Sequence, residues 1–266
     1  MNTKPIILKL GGSVITRKEK PSTANLKAIR RLASEISSAE AAPLVVVHGG
    51  GSFAHPLAKR YAMKEGYKGK ASQALGFALT HQAMVALDKL VVDALISQNI
   101  PAVAVSPSSC VVTKSGRIQT MMEEPVKKLL QTGFVPVLYG DAVLDSDLGF
   151  TILSGDQLIA YLAMRLNAEH IIVGIDVDGL YTADPKTNSS ARLISHITLN
   201  KLKSMQQQIE EAKVTDVTGG MLGKITELMP PIEKGIITLI VNATKPKNIY
   251  KALKGEKVIG TIIEKG

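Results

Sequence analysis

Short unbroken apolar runs alternate along the chain with segments whose apolar residues recur every three or four positions. The runs at 5–10, 44–47, 102–105, 135–139, 171–175, 236–241 and 258–263 have strand length, and their lack of internal alternation predicts strands covered on both faces. Helices are predicted between them. One is capped by Ser22 or Thr23 and runs through Ile36. A long one spans 73–97, with Leu79, Val85, Leu87, Leu90, Val91, Ala94 and Leu95 as its apolar face. Others cover 157–166 and 220–234, the last expected to kink or break at Pro230-Pro231. Ser115-Gly116 and Asp147 to Gly149 mark hairpin tips within 113–119 and 144–150. The Gly/Lys-rich stretch 64–72 fits neither period and reads as a loop that could serve as a flap. Alternating strand and helix imply a mainly parallel sheet with helices on both sides, in one continuous α/β unit with two lobes.

Composition narrows the functional classes. Hydrophobic residues at 45% and charged residues at 21% suit a globular chain, and no uninterrupted apolar run approaches the roughly 20 residues that span a bilayer. One cysteine, Cys110, cannot form an intrachain disulfide or a thiolate metal site, which points to a reducing cytoplasmic setting. The net charge of +9 is spread over short clusters, with aromatic residues at 4% and no tryptophan. This argues for solvated surface charge and attraction of anionic small molecules over nucleic acid.

The chemistry-bearing residues fall at the carboxyl ends of the predicted strands, the ligand edge of an open parallel sheet. Lys9-Leu-Gly11-Gly12-Ser13 sets a cation before a loop of bare backbone amides, an anion nest. Neither the P-loop nor the dinucleotide spacing is present. His48-Gly49-Gly50-Gly51-Ser52 places three glycines where an ordinary loop gains nothing from them, and His55 follows at a distance that points it into the same site. His48, on the strand itself, reads as structural. Gly140-Asp141 and Ser154-Gly155-Asp156 end further strands. Asp176-Val-Asp178-Gly179-Leu-Tyr181 and Asp184-Pro185 suit plain turns or a loop for the base and ribose of a nucleotide. Asp216 to Gly220 with Lys224 puts glycines and a lysine at a helix start, a second phosphate site. No His/Cys metal spacing and no nucleophile elbow are seen. Lysines, amides and one histidine suit phosphoryl transfer, which depends on positioning and charge neutralisation.

On the segments 7–18, 48–55, 139–141, 152–156 and 216–220 the chain resembles the amino-acid-kinase superfamily nearly end to end, and within it the archaeal-type isopentenyl phosphate kinases. The resemblance implies a three-layer αβα sandwich in a single domain over residues 1–266. Its N-terminal lobe (about 1–165) would bind the phosphate acceptor and its C-terminal lobe (about 166–266) would bind ATP. It implies ATP and Mg²⁺ as cofactors, a small-molecule substrate, no nucleic acid, no membrane insertion and a homodimer. Lys9 and Lys18 would meet the transferring phosphate, with Lys224 near the ATP phosphates. His55 would bond the acceptor phosphate, bracketed by Gly50, Gly140 and Gly155, and Phe77, Thr80, Ala142 and Ile152 would lie near a prenyl tail. Gly11, Gly12, Ser13, Gly51, Gly219 and Gly220 would face ATP, with Asp176, Asp178, Gly179 and Tyr181 on its nucleoside side. Ala54 departs from the glycine that many relatives carry before the histidine. A fosfomycin-kinase-like enzyme, another phosphate or phosphonate kinase, and a non-catalytic nucleotide binder of the same fold stay as alternatives.

Overall fold

The first strand, β1 (Ile6–Leu10), is buried at all five positions although Lys9 lies in it. The computed structural model describes residues 4–183, 185, 188–211 and 221–266. After β1 come α1 (Gly12–Ile15), α2 (Leu26–Ala39), β2 (Leu44–His48), α3 (Gly51–Arg60), a 3-10 turn (Met63–Glu65) and α4 (Ala71–Ile96). The middle of the chain holds β3 (Ala102–Ala104), α5 (Pro107–Cys110), β4 (Val111–Lys114), β5 (Arg117–Met121), α6 (Glu124–Gln131), β6 (Val135–Tyr139), β7 (Asp141–Asp145), β8 (Gly149–Leu153) and α7 (Gly155–Arg165). The remainder is β9 (His170–Ile175), β10 (Leu180–Tyr181), β11 (Leu193–Ile194), β12 (His196–Thr198), α8 (Leu199–Glu211), α9 (Met221–Glu233), β13 (Ile237–Asn242), α10 (Asn248–Leu253) and β14 (Gly260–Glu264).

Eight strands form the central sheet in the order β12-β14-β13-β9-β1-β2-β6-β3. The six from β13 to β3 run parallel, while β14 lies antiparallel to β13 and carries β12 parallel to itself. Alternation along β1 sends Ile6, Leu8 and Leu10 into a core with α2, α4 and α10, and Ile7 into a second core with α7 and α9. Two buried faces explain the continuous apolar strands, and the architecture is the expected three-layer αβα sandwich. The two hairpins expected around 113–119 and 144–150 are present. They join through a parallel β4–β7 pairing into a separate four-stranded sheet, β5-β4-β7-β8. Asp145 fixes both turns at once, accepting from Thr113 Oγ1, the Gly116 amide and the Leu148 amide at 2.7–2.8 Å. Burial pushes its carboxyl up, but these bonds outweigh that and hold it at about 2.

Several local expectations change. Asn25, not Ser22 or Thr23, caps α2, its side chain accepting from the Ala28 amide. α9 runs through Pro230 and Pro231 without a break. The prolines lie in its last turns, where their carbonyls still accept from Lys234 and Ile236. On α4 the buried stripe passes through Gln73, Thr80, Met84, Leu87, Asp88 and Val91, whereas Val85 is exposed. Its polar members are satisfied: Gln73 bonds Gly66 and Lys68, Thr80 bonds Gly76, and Asp88 bonds His48. By length and mean hydropathy (1.3) α4 would also suit a bilayer, but these partners make it a core helix of this domain.

Candidate active site

The carboxyl ends of β1, β2, β6 and β9 open on one edge of the sheet into a cleft of about 860 Å³. Its back wall is two glycine turns packed against each other. A Cβ on Gly12 would stand 2.4 Å from the Gly51 nitrogen, and one on Gly51 would stand 2.1 Å from Thr16 Oγ1. Gly51 also sits at φ +47°, in the left-handed region. Gly50 has no room because the Ala54 methyl would lie 2.5 Å from its Cβ. The triple glycine is therefore demanded by packing as well as by any anion. Its amides divide accordingly: Gly49 donates to Leu10 at 3.0 Å and Gly11 to Gly174 at 2.8 Å. Gly12, Ser13, Gly50 and Gly51 line the cleft where α1 and α3 begin, and the first amides of a helix have no intrahelical acceptor.

Lys9 leaves β1 on the α7 side and forms an ion pair with Asp156 in the first turn of α7. The lysine is only 4% exposed. Burial pulls its pKa below the usual lysine range, Asp156 pulls it back up, and nearby Lys224 lowers it again. Lys18, on the opposite lip, reaches Asp176 at 2.8 Å. Burial raises the Asp176 carboxyl, but hydrogen bonds from Lys18 and Ser13 outweigh it and hold it below its ordinary value. Lys224, in the first turn of α9, faces the cleft without a carboxylate partner among the described residues. His55 stands on α3 between these cations. Desolvation against the cleft wall, then the fields of Lys224, Lys64 and Lys9, lower its pKa, so the imidazole rests neutral at pH 7.

The cleft collects Lys9, Gly11, Gly12, Ser13, Lys18, Gly50, Gly51, His55, Thr80, Gly140, Ile152, Gly155, Asp176, Gly179, Tyr181 and Lys224. Three named residues lie off its surface. Ala142 is fully buried and Phe77 packs on Phe150 with ring centroids 5.5 Å apart, both in an apolar cluster behind Ile152. Asp178 turns away to Asn242 at 3.0 Å and Lys245 at 2.7 Å. Gly179, at φ +144°, is packed on β14, where a Cβ would meet Thr261 Oγ1 at 2.4 Å. Gly219 and Gly220, with 216–218 and Asp184, lie outside the described residues. His48 is structural as expected, buried against Asp88 at 3.1 Å and stacked on Tyr139.

Sequence reasoning named Asp156 only as part of Ser154-Gly155-Asp156 and gave it no role. Only the fold brings it to Lys9, across 147 residues. Lys59 and Lys64 on the rim were likewise unassigned. So was Asp141, which burial pushes up to about 6 against the opposing pull of His81 at 2.9 Å.

A family model, the amino acid kinase family, matches residues 4–242, and the chain belongs to that family. Within it, the chain is 46% identical over 265 residues to the isopentenyl phosphate kinase of Methanothermobacter thermautotrophicus, covering 97% of this chain and 98% of that one. It is 36% identical to the isopentenyl phosphate kinase of Methanocaldococcus jannaschii, over 97% and 98% of the two chains. A solved isopentenyl phosphate kinase structure superimposes with a TM-score of 0.86 at 42% identity, covering 97% of this chain and all of the other.

Proposed function

We propose that this chain transfers the γ-phosphoryl group of ATP to isopentenyl phosphate, giving isopentenyl diphosphate and ADP. The observation that carries this reading is one cleft that gathers three lysines, two glycine turns and a histidine. Lys9, Lys18 and Lys224 line it together with Gly12, Ser13, Gly50, Gly51 and His55. Relatives named for this activity, similar over nearly the whole chain, point the same way. A phosphate monoester has its second pKa near 6, so its oxygens are nucleophilic at neutral pH and no general base is needed. One acceptor oxygen attacks the γ-phosphorus while the bond to the β–γ bridging oxygen breaks, and ADP leaves with that electron pair. The obstacle is the meeting of two anions, which fixed cations and oriented amides overcome without reorganising.

In this assignment Lys9 and Lys18 contact the transferring group and Lys224 the ATP phosphates. Gly11, Gly12, Ser13 and Gly51 cradle ATP, and Gly179 and Tyr181 lie toward its nucleoside. His55, neutral at rest, donates an N–H to the acceptor phosphate, which Gly50, Gly140 and Gly155 bracket. Thr80 and Ile152 touch the prenyl tail, while Phe77 and Ala142 support it from one layer behind. The part of the chain to about residue 165 thus holds the acceptor, and the part beyond it closes the nucleotide side. Mg²⁺ arrives with ATP in this reading. Among the described residues no three His, Cys, Asp or Glu side chains converge as a resident site, and Mg²⁺ keeps mostly water and phosphate oxygens as ligands. When bound it offsets phosphate charge. A cytosolic homodimer completes the proposal, supported by family resemblance and the lone Cys110; sedimentation tests the oligomer.

A coupled ADP-release assay over isopentenyl phosphate, dimethylallyl phosphate, fosfomycin, UMP and acetylglutamate tests the function. Turnover should be best with isopentenyl phosphate. Preference for fosfomycin or UMP, or no turnover at all, sinks the assignment.

A further inference from the structure

The lysine of α9 lies one turn before a side-chain pair that ties its helix to a distant hairpin. Ile225, Leu228 and Ile232 anchor α9 in the core, whereas among the described residues nothing packs against Gly223, and Lys224 follows it in the first turn. One turn on, the Glu227 carboxylate accepts from both terminal guanidinium nitrogens of Arg117, at 2.6 and 2.8 Å, across 110 residues of sequence. Lys224 and Glu227 are three apart, hence on the same face of the helix. Arg117 starts β5 at the tip of the β4–β5 hairpin, which is itself fixed twice. Asp145 holds its turn from below, and buried Gln157 of α7 accepts from the Ile118 amide at 2.8 Å and donates to the Gly116 carbonyl at 3.1 Å. The residue before Gln157 is Asp156, the partner of Lys9.

We infer that the Arg117–Glu227 pair is a positioning latch, which fixes Lys224 relative to the Lys9–Asp156 pair by tying α9 and α7 to one rigid hairpin. A fork-to-fork guanidinium–carboxylate pair sets distance and azimuth together, which a lysine at position 117 could not do. The pair is largely solvent-accessible on the Arg117 side, so its weight falls on geometry more than on global stability. The inference rests on the phosphate role proposed for Lys224.

The test uses the full-length enzyme and the variants Arg117→Gln, Glu227→Gln, the double variant, and the exchange Arg117→Glu with Glu227→Arg. Each single change should lower kcat about tenfold, since displacements near 1 Å can cost up to about a hundredfold. KM for the acceptor and the melting temperature should stay put. The double variant should be no worse than either single one, and the exchange should recover activity. Unchanged kcat, losses that multiply, or a fall in kcat that follows the melting temperature overturns the latch. A second readout needs no acceptor: ATP should shield Lys224 from amine-labelling in the wild type and less so in Arg117→Gln. Equal shielding in both also overturns the latch, whereas no shielding even in the wild type removes the phosphate role of Lys224 on which it rests. Wild-type shielding without isopentenyl phosphate turnover would fault the acceptor assignment alone.

Discussion

Replacing Asp156 by asparagine leaves a nearly buried ammonium without its carboxylate. The Lys9 and Asp156 side chains are 5% and 14% exposed, so water screens them little. Two unit charges about 4 Å apart at an effective dielectric near 20 attract by about 4 kcal/mol. Allowing water into the opened cleft to halve this still leaves about 2 kcal/mol. Lys9 can escape part of the penalty by shedding its proton, because burial already pulls its pKa down and Asp156 is what opposes that pull. Two measurements follow. In kcat against pH, the alkaline limb of the Asp156→Asn variant should move to lower pH. At pH 8 the loss should reach about a hundredfold, the scale of removing one donor aimed at developing charge. For stability, folded Lys9 then titrates further below its unfolded value of 10.5. Between the two the unfolded state binds more protons, and stability of the variant relative to wild type should rise with pH. Removing Lys224 should shift the limb the other way, since its charge lowers the Lys9 pKa. An alkaline limb that stays in place or moves upward in Asp156→Asn would refute the reasoning.

Further outcomes can be checked directly. His55→Ala should lower kcat/KM for the acceptor by about 10- to 100-fold, the value of a hydrogen bond to a charged group, with KM for ATP little changed in steady-state assays. Gly51→Ala should cost at least about 2 kcal/mol in urea denaturation, because φ +47° is combined with a Cβ 2.1 Å from Thr16 Oγ1. Asp141 has a folded pKa of about 6 against an ordinary 3.8, raised chiefly by burial. Its folded form binds more protons between those values, so stability should fall by about 3 kcal/mol as pH rises from below 3.8 to above 6. Asp141→Asn should remove that drop in a pH series of melting curves. An identical profile in the variant would assign the drop to other groups.

Most of the sheet was written into hydrophobic runs. A strand buried on both faces has no polar alternation to blur it, and Gly11-Gly12, Gly49 to Gly51 and Gly140 mark where such strands end. That is enough to locate the ligand edge, because an open parallel sheet offers its binding crevice there whatever the chemistry. Lys9, His55 and Lys224 stood out in the sequence by the glycines beside them and Lys18 only by the family resemblance, and all four line the cleft. Helix faces were less legible. Polarity ranks Val85 above Thr80 and Asp88, yet the polar pair faces inward because Gly76 and His48 satisfy it, and partners distant in sequence leave no local trace. The same limit hid the second sheet, whose two hairpins each read correctly but whose β4–β7 pairing joins segments far apart in the chain.

The glycine motifs show where the two sources of information divide. Sequence alone determined that backbone must come close to something at 11–12 and 49–51, since only glycine permits it. Tertiary structure decided that this something is partly the other glycine turn, because a Cβ on Gly12 or Gly51 would collide with the facing backbone. It also decided which amides remain for an anion once Gly11 and Gly49 are spent on Gly174 and Leu10. The charge state of Lys9 was likewise undecided until folding brought Asp156 to it. Burial and a single contact set a pKa, and neither is a property of residues near it in the chain.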